Sequence, residues 1–142
     1  MQSWVVYGLV ASVCFGVVTV LFKIAQQKGN LTPYYTSFLF GIGVMIVFGI
    51  FFLFNPGYNI QWKSNGIAIA AGILWGIGML VVAIAISKNV EVARLAPIFN
   101  TNTLITVVLG IILLHEIPNA SQMFRVIAGA VLIVVGAILV SV

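Results

Sequence analysis

No aspartate occurs anywhere in this chain, and acidity is confined to two glutamates, Glu91 and Glu116. Histidine and cysteine are each present once, as His115 and Cys14. General acid–base catalysis draws on histidines and carboxylates held close together, and nucleophilic catalysis needs a nucleophile beside such a base. One His, one Cys and no Asp leave no convincing constellation of that kind, so the chain is not expected to be an enzyme. These residues cannot build a disulfide framework or a Cys/His metal site within one chain either, and no metal or cofactor is expected. Charge of any sign is rare: 6% of the residues are charged, where a soluble domain carries about a quarter.

Apolar residues stand in their place, at 63% of the 142 positions. They fall into five uncharged runs, each near the roughly 20 residues a helix needs to cross the hydrocarbon core of a bilayer. The expected fold is an all-α membrane protein of one domain, 1–142, with five spans at about 4–22, 34–54, 66–87, 95–114 and 124–142. A signal peptide would need a basic start and a prompt small-residue cleavage site. Met-Gln-Ser precedes the first run and "FKIAQQKGN" follows it, so the run is kept as a helix.

The connections are short and rich in turn residues: "QQKGNLTP", "NPGYNIQWKSN", "KNVEVAR" and "HEIPNASQ". Pro33, Pro56 and Pro118 serve there as turn signals, whereas Pro97 falls near the start of the fourth span. The sequons at Asn30 and Asn119 lie on opposite membrane faces in this arrangement and are taken as accidental. A net charge of +4 would suggest nucleic acid in a soluble chain. Here the six Lys and Arg lie in or beside the connections, so they meet membrane lipid and set orientation, and no nucleic-acid partner is expected. Lys23, Lys28, Lys88 and Arg94 stand on the side of the C-terminus, against Lys63 and Arg125 on the other. That bias favours a cytoplasmic C-terminus, and it is small enough to allow insertion in both orientations. The expected location is the cell (inner) membrane of a prokaryote, as a multi-pass protein.

Small residues four apart let helix backbones approach closely where lipid supplies no hydrophobic drive. Gly8, Ser12 and Gly16 make such a stripe in the first span, and Gly72 and Gly76 in the third. Ordinary packing within the chain is the simpler account of both, glycine being common in membrane helices. The last span, "GAVLIVVGAILV", places Gly129 and Gly136 seven residues apart on nearly one face, with no polar side chain between Arg125 and Ser141. A helix with glycines and no polar group suits packing, and it is the candidate surface for joining two protomers.

The fourth span is the polar one. "PIFNTNTL" carries Asn100, Thr101, Asn102 and Thr103 in an apolar neighbourhood. On a continuous helix with Asn100 at zero, Asn102 falls at about 200°, Thr106 at about 240°, Gly110 at about 280° and Thr103 at about 300°, with Thr101 outside that arc at about 100°. Polar side chains in a membrane helix face the bundle or a water-filled cavity, because lipid cannot satisfy them. Asn100, Asn102, Thr103 and Thr106 are therefore candidate substrate contacts. The alternative is hydrogen bonding between helices, or threonine hydroxyls bonding back to the preceding turn. Pro97 either kinks this helix or starts it. Trp75, beside the glycine stripe of the third span, either stacks on a flat or cationic substrate or packs. Lys23, on the face of Thr19 and Phe15, either reaches an anionic group or snorkels to the interface.

Several of these residues together resemble a known family. "CFGVVTVLFKIAQQKG" is similar to the first helix of the EamA-type repeat of the drug/metabolite transporter superfamily, with its aromatic-glycine pair and later lysine at Phe15, Gly16 and Lys23. Phenylalanine stands where that family usually has tryptophan. "AISKNVEVARLAPIFNTNTLITVVLGIILLHEIP" resembles the repeat's third-to-fourth helix stretch, with Pro97 near a helix start and Glu116 at its exit. "GAVLIVVG" looks like the last helix of the related small multidrug resistance proteins, where a glycine heptad supports dimers.

The resemblance covers essentially the whole chain as one five-helix repeat. Larger members fuse two such repeats in opposite orientation, the inverted arrangement used for alternating access. A single repeat then implies a transporter of a small organic solute acting as an antiparallel homodimer, or as a heterodimer with another short repeat. Helices one, three and four would line the cavity, and Gly129 and Gly136 would lie at the interface. The membrane-embedded glutamate of the small multidrug resistance proteins has no equivalent here, which disfavours proton-coupled cation export by that route. The competing function is a non-transporting scaffold or accessory subunit that binds partner helices through its glycine stripes.

Overall fold

The computed structural model of the protein describes residues 3–57, 60–116 and 119–141. Pro118, expected in a turn, and Val142, the expected end of the last span, lie outside the described residues. Six helices follow one another: α1 Ser3–Lys28, α2 Pro33–Phe54, α3 Trp62–Ser87, α4 Val92–Phe99, α5 Asn102–Leu113 and α6 Ala120–Ser141. Among the described residues five segments are long and apolar enough to cross a membrane, and α4 with α5 makes up the fourth, Val92–Leu113. The all-helical membrane architecture expected from hydropathy is thus observed. The fourth span is not the continuous helix that the angular reading assumed.

Local chemistry explains the helix ends. Helix α1 runs past its apolar stretch to Lys28 and stops at Gly29, where a Cβ would sit 2.5 Å from the Ala25 carbonyl. Asn30 follows at φ 52°, the left-handed conformation that asparagine tolerates better than most residues. The Thr32 hydroxyl then accepts from the Tyr35 amide at 3.3 Å, capping α2 ahead of Pro33, a residue pre-set for the first helical turn. At the far end the Asn55 side chain and backbone amide both donate to the Phe51 carbonyl.

Residues group into two compact units, Met1–Val90 and Glu91–Val142. In the first, α1, α2 and α3 pack on one another. Its buried residues are Thr19, Phe22 and Gln26 of α1, Thr36 of α2, and Ala83 and Ile86 of α3. All lie toward the connections that follow α1 and α3, so those two helices end on the same side. The spacing 19, 22, 26 is one helical face, set against the 83, 86 face of α3. Phe22 meets Phe40 edge-on with ring centroids 5.1 Å apart, and Phe40 meets Trp75 at 5.3 Å, which ties α1, α2 and α3 through one aromatic row.

In the second unit α6 packs against both α4 and α5. Its contact face is marked by Ala130 and Ala137, buried and seven residues apart. Arg94, at the start of α4, donates from Nε to the Val140 carbonyl in the last turn of α6 at 3.3 Å, placing a cation at the negative end of that helix.

Candidate functional site

The fourth span breaks where its polar residues begin. Pro97 is interior to α4, not its first residue, because the helix already starts at Val92. Having no N–H, it leaves the Ala93 carbonyl without its helical donor. The amides that follow reach back three residues where a helix reaches four: Thr101 to Ile98 at 3.2 Å, Thr103 to Asn100 at 3.1 Å and Leu104 to Thr101 at 3.0 Å. This tightening passes over the Pro97 and Phe99 carbonyls, which Thr101 and Thr103 would otherwise meet. A membrane span therefore carries released main-chain oxygens beside two asparagines.

The candidate polar residues divide at this point. Thr103 Oγ1 donates to the Asn100 carbonyl at 2.9 Å, and Thr106 Oγ1 to the Asn102 carbonyl at 3.1 Å. Thr101 Oγ1 does the same to Ile98 at 2.7 Å. The hydroxyls thus bond back within their own span, the alternative weighed for them above. Asn100 and Asn102 differ: both are exposed, and neither side-chain amide makes a hydrogen bond among the described residues. They also stand on opposite sides of the break, Asn100 after α4 and Asn102 as the first residue of α5. The single angular arc drawn for a continuous helix does not carry across the junction.

Past the break, α5 ends by turning on His115 at φ 53°. The Gly110 carbonyl accepts from both Leu114 and Glu116 amides, and a Cβ at Gly110 would meet Glu116 Oε2 at 3.4 Å. Glu116 consequently folds back over the last turns of α5.

The other two candidates lie in the first unit. Lys23 is half-buried, and its Nζ donates to the Val90 carbonyl at 3.3 Å, beyond the end of α3. Trp75 rests on Phe40 at a 37° tilt and remains 44% exposed, so one part of the indole packs while the rest is open. The sequence pattern does not single out Gln26, yet it is 7% exposed, donates from Nε2 to the Ala83 carbonyl at 3.2 Å, and has a buried Oε1 with no partner among the described residues. The signal for it was present: Thr19, Lys23 and Gln26 follow one another at helical spacing.

The glycine stripes are open. A Cβ added at Gly8, Gly16, Gly72, Gly76, Gly129 or Gly136 meets nothing within 4 Å among the described residues. Packing among the described residues within each unit therefore does not use the close approach these glycines permit. On α6 the intrachain contact falls on Ala130 and Ala137, one residue beyond each glycine, about 100° further around the helix.

Comparison with known proteins agrees with this architecture. The model of the EamA-like transporter family matches residues 2–142. An uncharacterized protein of Methanocaldococcus jannaschii is 29% identical over 142 residues, covering 100% of this chain and 98% of its own. No solved structure matches the chain at a significant level.

Proposed function

Because the chain belongs to the EamA-like transporter family, we propose that it moves a small organic solute across a prokaryotic cell (inner) membrane, with the α4–α5 junction as part of the substrate path. The observation that carries this reading is the pairing of a broken membrane span with two asparagine amides that make no hydrogen bond among the described residues. Polar groups at membrane depth need a partner from protein or water, and irregular backbone there is tolerated where it lines a cavity or is buried in protein. The amides and released carbonyls offer donors and acceptors without net charge, which suits a neutral, zwitterionic or anionic solute. Thr103 and Thr106 add acceptor oxygens on α5.

The proposal includes a dimer, antiparallel, working by alternating access as one membrane domain per chain. Two features support it: a charge bias small enough for either orientation, and glycines at 129 and 136 on α6 where an added Cβ meets nothing within 4 Å among the described residues. Solute flux in vesicles tests the path. Asn100→Leu and Asn102→Leu should abolish flux while leaving dimers intact; unchanged flux would remove these amides from the path, and absence of flux in the wild type would point to the scaffold function instead. Lys23→Gln and Trp75→Leu in the same assay test whether these side chains also touch solute. Tags at the C-terminus that report from each side of the membrane test the antiparallel pairing, and a single orientation would sink its self-paired form.

A further inference from the structure

A second feature of the first unit lies outside the proposed path. Between α1 and α2 runs a cavity of about 280 Å³, lined by Val18, Leu21 and Ala25 on one side and by Leu31, Leu39 and Phe40 on the other. The threonine on its wall, Thr36, is buried and spends its hydroxyl on the Thr32 carbonyl at 3.0 Å, so the lining offers hydrocarbon to a guest.

The face of α1 that lines this groove continues at helical spacing from 18, 21 and 25 to Lys28 in the last turn. Lys28 is exposed and makes no hydrogen bond or ion pair among the described residues. Residues 1–90 contain no acidic side chain to neutralise it. From Val18 to Lys28 the helix rises about 15 Å, half of a roughly 30 Å hydrocarbon core and hence the depth of one leaflet. Tyr34 and Tyr35, 66% and 50% exposed, stand just beyond Lys28 and fit the aromatic belt at headgroup level.

We propose that this groove holds an acyl chain of one anionic phospholipid, with its phosphate at the Lys28 ammonium. Shape and charge complement one lipid molecule: an apolar slot lined on α1 from Val18 to Ala25, with a cation about one helical turn further along the same face. Lys23 lies on another face of α1, off the 18, 21, 25, 28 row, and its ammonium donates to the Val90 carbonyl.

Native mass spectrometry of the full chain tests this, after reconstitution in vesicles of equal phosphatidylglycerol and phosphatidylcholine and extraction in mild detergent. The wild type should retain one phosphatidylglycerol per chain, favoured over phosphatidylcholine by about fivefold, the effect one lysine supports near an anionic membrane surface. Lys28→Gln should bring the two lipids to parity. Ala25→Phe, which fills the groove, should remove the retained lipid; if that variant does not fold, Lys28→Gln still decides the matter. Lys63→Gln should change nothing. Equal retention of both lipids by the wild type, an undiminished preference in Lys28→Gln, or an equal loss in Lys63→Gln would each overturn the assignment.

Discussion

Gln26 gives half of its amide to α3 and buries the other half: Nε2 donates to the Ala83 carbonyl at 3.2 Å, while Oε1 meets no donor among the described residues. Interhelical hydrogen bonds in membranes average only about 0.6 kcal/mol, and an unsatisfied buried oxygen works against that gain. Gln26→Leu, close in volume, should therefore shift unfolding in mixed detergent micelles by less than about 1 kcal/mol. Gln26→Ala leaves a void as well and should destabilise by about 1–3 kcal/mol. A large loss in the leucine variant would mean that the amide holds more than the Ala83 carbonyl.

Gly29 leaves its neighbourhood no slack. A methyl group there falls 2.5 Å from the Ala25 carbonyl, a backbone atom that cannot swing aside. Gly29→Ala should cost about 1–3 kcal/mol in the same unfolding titration, the range for overpacking against a fixed group. By contrast Gly8→Ala, which meets nothing within 4 Å, should leave the chain as stable or slightly more so.

Pro97→Ala restores an N–H for the Ala93 carbonyl and favours a continuous fourth span. The variant should unfold less readily and carry solute more slowly, because the released oxygens at the junction close into helical bonds. Thr103→Val and Thr106→Val, whose hydroxyls bond within their own span, should lose far less flux than Asn100→Leu. Equal losses at all these positions would separate the junction from the transport path.

The two small-residue rows of α6 should respond differently to size. Ala137 is 4% exposed, so Ala137→Leu should disrupt the second unit by about 1–3 kcal/mol through overpacking. Gly136→Leu, at a position where an added Cβ meets nothing within 4 Å among the described residues, should leave the fold intact and weaken cross-linking between copies in the membrane. Unchanged cross-linking would remove this face from the dimer interface.

The glycine rows also show where pattern reading stops. Gly129 and Gly136 announce a smooth helix face from spacing alone, but spacing cannot say which neighbour uses it. The adjacent alanines took the intrachain contact, because the packing of α6 on α4 and α5 sets its rotation. Likewise, Pro97 and two asparagines were visible as an oddity in the fourth span. Whether the ladder would break, and after which residue, depended on hydrogen bonds that a helical wheel assumes to be regular.

The sequence by itself determined the solvent, the five spans and the family resemblance, since hydropathy over about 20 residues and short ordered motifs are local properties. It also bounded the chemistry, because two glutamates, one cysteine and one histidine leave few groups to assemble. Only the tertiary structure decided that Gln26 is buried with a half-satisfied amide, that Trp75 shares its ring with Phe40, and that the fourth span is two helices. Those outcomes rest on which faces meet and which backbone amides reach which carbonyls, and such pairings form between residues the linear pattern treats as independent.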